Sequence, residues 1–588
     1  MNKLILLKNC KKASDLASLL GYSTKKFSYI LFNKASRSTA YTSFEIPKKN
    51  GGKRTILSPN KDLKKLQRSL TLLLNDCFNI IEKERLENTS FTKCILSHGF
   101  RPKFKVEIPK SHSNREVLKI HDLKLGIYSN AYKHKNKNFV LNIDLKDFFT
   151  SITFNRIVGY FCKNDFFKLN KQISILIAQI ATYRPSSFGE AFLPQGSPCS
   201  PIISNLIAGI LDNRLNNFAQ KYNCTYTRYA DDLSFSTNQL DFPLALYDTN
   251  NKVIGKKLLK IITDSWFEIN VKKTRLTHKQ NRQEVTGLIV NKKVNVSNDY
   301  YRYSRCMVHN YCKTSIYKKS KFHNKQDNIE VNAITGVVNH IFNIKKNEYA
   351  KSLNFREYNS LDSIEKFYID FHFHKECVHN LKPYIICEGI TDPLHLKNAY
   401  KNLNMNPSIF KIKSIEEIKS LNNVMGLSNG VGPMIKFLIE YSKIYKSKVK
   451  NPIACIFLVD GDSDGNNFIK SVRDFYKQNT QLDFPNYRDL SSNLLETYHI
   501  TNNIFTTQLP NGKCIEDIYD PTVLKMKLNN RSYNKSNKSF DLLKFYGKTD
   551  LINKVIKPAN KSIDFSQFNT IFDTIHHIQT YNYLINSI

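Results

Sequence analysis

Residues 139–149 read FVLNIDLKDFF, and residues 226–236 read YTRYADDLSFS. The first stretch is an apolar run that ends in acids, which is typical of a buried strand. The second stretch has apolar residues on both sides of an Asp-Asp pair, which predicts two strands joined by a tight turn. This pattern places Asp144 at the end of one strand, and Asp231 and Asp232 on the turn beside it.

Three carboxylates in this arrangement fit a two-metal site. Mg²⁺ prefers carboxylate oxygens and keeps coordination positions open for substrate. In nucleotidyl transfer two such ions, about 3.5–4 Å apart, act on the attacking 3′-hydroxyl and on the triphosphate. We therefore expect Asp144, Asp231 and Asp232 to be the metal-binding and catalytic residues of a polymerase. An ordinary polar turn is the alternative, and the stretch LPQGSP at 193–198 argues against it.

Bulk composition indicates a nucleic-acid partner. The 588 residues include 88 Lys and Arg against 50 acids, a net charge of +38. Such a basic chain is expected to bind a polyanion, although a generally basic proteome would explain part of the excess. The 12 cysteines show no paired CxxC spacing, which predicts reduced thiols and a cytoplasmic location. No apolar run is long enough to predict a signal peptide or a membrane span.

Five stretches, in this order, resemble the finger and palm motifs of reverse transcriptases. The resemblance covers roughly residues 40–290 and implies a right-hand-like fold with fingers, palm and thumb. The stretches are FEIPKKNGGKRTIL (44–57), NIDLKDFFTSI (142–152), LPQGSPCSPIISNL (193–206), RYADDLSFS (228–236) and NVKKTR (270–275).

The same resemblance implies roles for individual residues. Asp144, Asp231 and Asp232 match the metal-binding triad, for two Mg²⁺ ions. Phe149 matches the aromatic residue that lies under the sugar and excludes a 2′-hydroxyl. Asp147 falls outside the triad match and is interpreted as structural. Other positions match residues that contact the nucleotide, its triphosphate or the released pyrophosphate: Lys53, Arg54, Gln195, Gly196, Ala230, Lys272 and Lys273.

Two short elements resemble those of bacterial retron reverse transcriptases. Residues 130–134, Asn-Ala-Tyr-Lys-His, match the NAxxH element, and Val285, Thr286 and Gly287 match the VTG element. The VTG element is associated with recognition of the cognate RNA, so Asn130, His134 and residues 285–287 are predicted to bind RNA. Local loop hydrogen bonding is the alternative for Asn130 and His134. The stretch 98–100, His-Gly-Phe, also looks retron-like.

The retron resemblance implies a substrate and a product. Retron enzymes bind a structured non-coding RNA, prime from the 2′-hydroxyl of an internal guanosine, and copy part of that RNA into a branched RNA–DNA hybrid. The implied partners are the cognate RNA, its hybrid product and dNTPs, and an oligomer with that nucleic acid is left open. A basic, aromatic segment suits RNA binding, because Arg and Lys neutralise phosphates and Tyr stacks on unpaired bases. Its residues are Tyr300, Tyr301, Arg302, Tyr303 and Arg305, with a solvated helix face as the alternative.

A second set of acids follows two short apolar runs, PYIICEG at 383–389 and PIACIFLVDGD at 452–462. Such runs are typical of parallel strands buried on both faces, which carry function at their carboxyl ends. Carboxylates at the tips of two such strands can share Mg²⁺ and position a phosphodiester. The acids are Glu388, Asp460, Asp462 and Asp464.

This pattern resembles the Toprim domain, which has a Glu-Gly turn after its first strand and a DxD after a later one. The resemblance implies a metal-dependent nuclease with Glu388 as a catalytic residue. Glu516 and Asp517 are similar to a late acidic element of Toprim nucleases. Retrons with such a domain act in bacterial defence against phage. A degenerate structural domain, or one that only binds nucleic acid, is the alternative.

The predicted organisation is a multidomain chain of the α/β and α+β classes. Residues 1–315 form the reverse transcriptase, with fingers and palm to about 240 and a thumb over 241–315. Residues 316–380 form a helical connection, and 381–588 form the Toprim-like α/β domain with a parallel sheet. A group II intron-type or other mobile-element reverse transcriptase is the rival for the whole chain. A zinc site at His372, His374, Cys377 and His379 is disfavoured, because the cluster lacks a second ligand pair at a familiar spacing.

Overall fold

The structure is a computed structural model of the chain, and contacts divide it into two compact units, Met1–Ser297 and Asn298–Ile588. Each unit is described by itself. The structure describes residues 2–33, 40–47, 51–87, 95–101, 104–105, 122–123, 125–185, 189–315, 331–346, 354–379, 382–406, 409–449, 452–480, 486–487, 494–535, 541–559 and 561–587.

The first unit is built on an antiparallel sheet and a long helix. Its elements are β5 (Phe139–Lys146), β6 (Thr225–Tyr229), β7 (Asp232–Thr237), β10 (Glu268–Ile269), β11 (Arg275–His278) and α8 (Ser200–Lys221). The strands lie in the order β10-β5-β7-β6, and β11 also pairs with β5. The sheet and helix α8 share one hydrophobic core, which includes Ile143 of β5, Leu233 of β7 and Ile203 of α8.

A basic hairpin precedes this sheet, as the two alternating runs around Gly-Gly in FEIPKKNGGKRTIL predict. Strand β1 (Tyr41–Pro47) pairs antiparallel with β2 (Lys53–Pro59), so that Pro47 lies opposite Lys53. Gly51 and Gly52 have φ angles of 82° and 78°. Only glycine enters this left-handed region without steric cost, which explains the Gly-Gly pair in the connection.

Helices surround the sheet and the hairpin. Residues 63–81 have helical periodicity in the sequence, and they lie within one long helix, Lys61–Glu87. The polar, basic composition of residues 101–125 predicts an insertion or long loop, and most of this stretch lies outside the described residues, apart from the pair Phe104–Lys105 and Asp122–Leu123. The remaining helices described here are Lys3–Asn9, Ala13–Leu19, Thr24–Phe32, Ile127–Lys133, Phe154–Lys163, Lys171–Ala181 and Lys256–Thr263. Further short strands are Tyr247–Asp248, Val253–Ile254, Glu284–Val285 and Leu288–Ile289.

The second unit contains a mixed sheet with order β15-β14-β16-β19-β18-β17. The first four strands are parallel, and β18 pairs antiparallel with both β19 and β17. Alternate residues face two separate cores: Ile386 and Phe457 enter one, and Ile385 and Ile456 the other. This burial on both faces explains the uninterrupted apolar runs. The strands are β14 (Tyr384–Cys387), β15 (Lys411–Ser414), β16 (Cys455–Val459), β17 (Asn486–Tyr487), β18 (Glu496–Thr501) and β19 (Ile504–Gln508).

The division at Ser297 cuts through the predicted thumb, 241–315. Helix Asn298–Thr314 belongs to the second unit because it packs on helices Val331–Lys345 and Ser363–Phe373, which lie in the predicted connection. No described helix is long and apolar enough to cross a membrane. Further helices and short strands are Asp392–Asn402, Lys419–Met425, Val431–Ile444, Ser463–Thr480, Pro521–Leu524, Lys548–Asp550, Asn569–Ser587, Ser532–Tyr533 and Phe545–Tyr546.

Candidate active sites

The sheet of the first unit brings three carboxylates together. Strands β5 and β7 pair so that Asp144 lies directly opposite Asp232. Asp231 precedes Asp232 on the turn between β6 and β7, where Ala230 has a φ of 56°. The amide of Leu145 donates to the carbonyl of Asp231 at 2.9 Å, which ties this turn to β5. This turn, Tyr229–Asp232, joins two strands as the sequence predicts, and it is named the catalytic turn for the role that we propose for it below.

The carboxylates of this turn are held in a partly buried, crowded position. Burial, and then the neighbouring carboxylates, raise the pKa of Asp232 to about 6. Burial also raises the pKa of Asp231. Lys273 Nζ lies 2.8 Å from Asp144 Oδ2, and Asn270 Nδ2 donates to Asp144 Oδ1 at 3.1 Å. A divalent cation relieves such repulsion and prefers these oxygen ligands, so the donor set fits Mg²⁺.

A buried ion pair between Arg228 and Asp212 supports the catalytic turn. Arg228 is fully buried, and its Nε and Nη2 atoms each lie 2.8 Å from a different carboxylate oxygen of Asp212. Its Nη1 donates to the carbonyl of Ala230 at 3.0 Å and to Asn205 Oδ1 at 3.1 Å. The Tyr226 hydroxyl also donates to Asp212, at 2.8 Å. This ion pair was not predicted from the sequence, although an arginine within an apolar strand indicates a buried partner.

The segment around Gln195 and Gly196 packs against the hairpin. The amide of Leu57 donates to the carbonyl of Gln195 at 2.8 Å. Gly196 has a φ of 125°, and a Cβ there would lie 2.6 Å from the Leu57 carbonyl oxygen. Only glycine permits this close approach. Lys53 and Arg54 begin the same strand with exposed side chains, and Lys53 forms an ion pair with Glu45 at 2.7 Å.

Phe149 lies on the turn that follows Asp144. Its ring is half-buried and packs between two others, with centroid distances of 5.4 Å to Phe148 and 5.9 Å to Phe100. Asp147 is exposed and has a φ of 48°, and its carbonyl accepts a hydrogen bond from the amide of Ser151 at 2.8 Å. Part of the Phe149 side chain therefore remains exposed.

The predicted direct contact of Asn130 and His134 with RNA is corrected by the structure. Both side chains are fully buried. The two ring nitrogens of His134 lie 2.8 Å from Ser236 Oγ and 2.7 Å from Thr227 Oγ1, and Thr227 donates to Asn130 Oδ1 at 2.6 Å. Burial lowers the pKa of His134 to about 3. These residues therefore brace β6 and β7, because polar side chains in a packed interior need hydrogen-bond partners.

The VTG element forms the turn of a hairpin that contacts helix Ile127–Lys133, which carries Asn130. Val285 is buried, whereas Gly287 is exposed. Thr286 and Gly287 have φ angles of 48° and 79°, as a two-residue hairpin turn requires. Thr286 Oγ1 donates to the carbonyl of Ile127 at 3.3 Å, in the helix that carries Asn130. The two retron-like elements thus lie together.

The basic, aromatic segment forms part of helix Asn298–Thr314. Arg302, Tyr303 and Arg305 are exposed. Tyr301 is half-buried, with its ring centroid 5.8 Å from that of Phe367. Because Tyr300 is also exposed, the helix presents two arginines and two tyrosines to solvent, while Tyr301 is half-buried.

The parallel strands of the second unit bring the second set of acids together. Glu388 directly follows β14 and Asp460 directly follows β16, and these strands are neighbours. Burial, and then Asp460, raise the pKa of Glu388 to about 8. Burial, and then Asp392, raise the pKa of Asp460 to about 7. Glu388, Asp392, Asp460 and Lys548 line an open cleft of about 560 Å³.

The loop after β16 has a fixed shape. Asp462 Oδ1 accepts from the amides of Asp464 and Gly465, each at 3.0 Å, so it caps helix Ser463–Thr480. Among the described residues, ligand atoms of Asp460, Asp462 and Cys514 lie within 4.8 Å of one another. Asp464 is exposed and lies outside this group. Sequence reasoning missed Cys514, whose approach to the acids depends on a long-range contact.

The late acidic element lies beside this group with its charges paired. Glu516 is fully buried, and Lys548 Nζ lies 3.1 Å from its Oε1. Asp517 accepts from the amide of Cys514 at 2.7 Å and pairs with Lys535.

The histidine cluster at 372–379 is hydrogen-bonded within the protein. His372 bonds to Asn339, and His374 and His379 each bond to a backbone carbonyl. Each of these bonds occupies one ring nitrogen of its histidine.

Comparisons with known proteins find similar sequences for part of this chain. Residues 46–290 match the family model described as reverse transcriptase (RNA-dependent DNA polymerase). The chain is 31% identical to the retron Mx162 reverse transcriptase of Myxococcus xanthus, over 51% of this chain and 58% of that protein. It is 35% identical to the retron Ec86 reverse transcriptase of Escherichia coli, over 31% of this chain and 52% of that protein. The chain thus spans little more than half the length of these relatives.

Solved structures give more distant likenesses. Telomerase from Candida albicans, in complex with a fragment of telomeric RNA, has 12% identity and a TM-score of 0.29, over 57% of this chain and 59% of that one. A likeness this distant carries no argument. Residues 46–290 thus match the reverse transcriptase family model, as the sequence predicts, and the chain is similar in sequence to retron reverse transcriptases. The family match ends before the acids of the second unit.

Proposed function

We propose that this chain is the RNA-directed DNA polymerase of a retron and carries a second, nuclease-like site. It copies a structured non-coding RNA into a branched RNA–DNA hybrid, primed from the 2′-hydroxyl of an internal guanosine. One observation carries the proposal. Asp144 lies opposite Asp232 beside the Asp231 turn, within a segment that matches the reverse transcriptase family model.

Asp144, Asp231 and Asp232 would hold two Mg²⁺ ions. When bound, these ions supply the positive charge that activates a 3′-hydroxyl and stabilises the leaving pyrophosphate. Lys273 and Asn270 fix the Asp144 carboxylate through its two oxygens. Arg228 holds the carbonyl of Ala230, so the turn that presents the other two carboxylates keeps its shape. The protein's own contribution is thus a preorganised set of oxygen ligands.

The incoming dNTP would lie between this turn and the hairpin. Lys53 and Arg54 carry exposed positive charges that suit a triphosphate. Gln195 and Gly196 join the hairpin to the palm and line the pocket. Phe149 offers a partly open ring to the sugar, where it excludes a 2′-hydroxyl. Lys273 is better placed than Lys272 to donate a proton to pyrophosphate, because it already reaches Asp144.

The cognate RNA would be recognised outside the polymerase site. The exposed Gly287 turn and the exposed side chains of Arg302, Tyr303 and Arg305 are the surfaces we assign to it. Phosphate neutralisation and base stacking are the expected contacts. Asn130 and His134 would act indirectly, because their network supports both the helix beneath the VTG turn and strands β6 and β7.

The second unit would be a metal-dependent nuclease of the Toprim type that acts as the effector of an antiphage system. Glu388 and Asp460 end neighbouring parallel strands, and Asp462 lies two residues further on. Their carboxylates would hold Mg²⁺ beside a cleft large enough for a phosphodiester. The acids and cleft favour this assignment over a domain that only binds nucleic acid.

Extraction of the nucleic acid that copurifies with the full chain and its RNA tests the proposal. We expect a small branched RNA–DNA hybrid, in which removal of RNA by ribonuclease leaves DNA with a short branched remnant. The Asp231→Asn variant is the control and should carry RNA without DNA. Linear DNA without a branch, or RNA alone with the unsubstituted chain, would contradict the retron assignment.

A further inference from the structure

Phe100 has an unusual backbone and an unusual exposure for a large apolar residue. Its φ is 55°, in the left-handed region, and its side chain is 38% exposed. A bulky residue enters this region only at an energetic cost, so neighbouring contacts must impose the conformation. An exposed aromatic ring in a strained, fixed backbone is a feature to be explained by function rather than by packing.

Hydrogen bonds fix the backbone on both sides of this ring. Asn205 Nδ2 donates to the carbonyl of Gly99 at 2.7 Å and to the carbonyl of Phe100 at 3.2 Å. The other amide atom, Asn205 Oδ1, accepts from Arg228 Nη1 at 3.1 Å. The next residue, Arg101, forms a buried ion pair with Glu82 at 2.7 Å. The same buried network therefore positions both the catalytic turn and Phe100.

The neighbours of Phe100 belong to the polymerase site. A Cβ on Gly99 would lie 2.7 Å from the amide nitrogen of Ala230, so the chain passes directly against the catalytic turn. The ring of Phe100 lies 5.9 Å from that of Phe149, at an angle of 45°. Phe149 also contacts Phe148, which is buried, at a centroid distance of 5.4 Å. Phe149 thus contacts one buried ring and one exposed ring.

We infer that Phe100 is a positioning residue for sugar discrimination, an inference that rests on the proposed polymerase function. A half-buried ring excludes a 2′-hydroxyl only if it cannot rotate away. Phe148 restricts the ring of Phe149 from within the core, and Phe100 restricts it from the solvent side. The ligand concerned is the ribose of the incoming nucleoside triphosphate.

Primer extension with matched dNTPs and rNTPs on an RNA template tests this inference. Phe100→Ala should raise the relative use of rNTPs by about 2- to 13-fold, the range expected for loss of one tilted aromatic contact. Phe100→Tyr keeps the ring and should restore discrimination. Phe100→Leu keeps apolar bulk and should give an intermediate value, and it provides a folded variant if the alanine variant does not fold.

A double-mutant cycle separates positioning from a general structural effect. Phe149→Ala removes the residue through which Phe100 acts, so adding Phe100→Ala to it should change discrimination no further. Trp266→Ala is the matched control, since Trp266 is an aromatic residue of the same unit that is 80% exposed. It should leave the ratio of rNTP to dNTP use unchanged.

Three outcomes would overturn the inference while the polymerase function stands. They are unchanged discrimination in Phe100→Ala, an equal change in the Trp266→Ala control, or additive effects in the double variant. Failure of the unsubstituted chain to extend the primer at all would instead contradict the proposed function.

Discussion

At the scale of single residues, the catalytic turn depends on one buried side chain. Arg228 binds Asp212 through two hydrogen bonds and donates a third to the carbonyl of Ala230. Taking two charges out of water is costly, and this geometry offsets the cost because both groups find partners. The pair therefore fixes the shape of the turn that it supports.

Arg228→Met should destabilise the first unit by about 3–5 kcal/mol, because it leaves Asp212 buried without its partner. The melting temperature and the rate of primer extension should both fall. The double variant Arg228→Met/Asp212→Leu should recover much of the melting temperature but not the rate, since the carbonyl of Ala230 still lacks its donor. Asp165→Asn, which removes an exposed pair with Lys168, is the control and should change neither. Full recovery of the rate in the double variant would contradict a positioning role.

His134 should make the stability of the first unit depend on pH. Its folded pKa of about 3 lies below the ordinary value of 6.5, because burial disfavours the charged ring. Protons therefore bind preferentially to the unfolded chain, so the contribution is complete above about 6.5 and declines as pH falls toward 3. We expect His134→Gln to lose less melting temperature than the unsubstituted chain between pH 7 and pH 5. Parallel curves for the two proteins would show that His134 does not carry this dependence.

At the scale of elements, the VTG hairpin and helix Ile127–Lys133 are joined by a hydrogen bond. Thr286→Val removes the hydrogen bond to the carbonyl of Ile127, and Gly287→Val places a β-branched residue at a φ of 79°. Both changes should reduce DNA synthesis on the cognate RNA more than extension of a generic primer on RNA. The comparison of the two substrates is the measurement. An equal loss on both would mean that the hairpin only supports the fold.

The local pattern of the sequence predicts those elements whose chemistry lies within one stretch. Strand–turn patterning predicts the turn at Asp231, and apolar runs predict β14 and β16, because burial on two faces leaves no polar positions. Pairing over long sequence distances leaves no such local pattern. Arg228 with Asp212, and His134 with Ser236, are therefore visible only in the structure. The division at Ser297 was missed for the same reason, since an amphipathic helix does not specify which neighbour covers its apolar face.

At the scale of the whole molecule, two compact units carry two carboxylate sites. The first unit has one hydrophobic core and the second has two, and each site takes its acids from strands and turns of its own unit. Units with separate cores usually tolerate a substitution in the other unit. The two proposed activities should therefore be separable.

Glu388→Gln and Asp460→Asn should leave the RNA–DNA product at its normal level and remove metal-dependent cleavage, because the charge that binds Mg²⁺ is lost. The measurements are the yield of DNA product and bacterial survival under phage challenge, with the cognate RNA expressed in each strain. Lys397→Gln, a change in the same unit that leaves these acids intact, serves as control. Full protection by both acid variants would remove the nuclease proposal and favour a second unit that only binds nucleic acid.

The central claim is that Asp144, Asp231 and Asp232 form the site of RNA-templated DNA synthesis. Extension of a DNA primer on an RNA template with dNTPs and Mg²⁺ tests it directly, in the unsubstituted chain and in Asp231→Asn and Asp232→Asn. We predict synthesis by the unsubstituted chain and a loss of at least about 100-fold in each variant, with RNA binding and melting temperature retained. Extension by either variant at a rate near that of the unsubstituted chain would contradict the account.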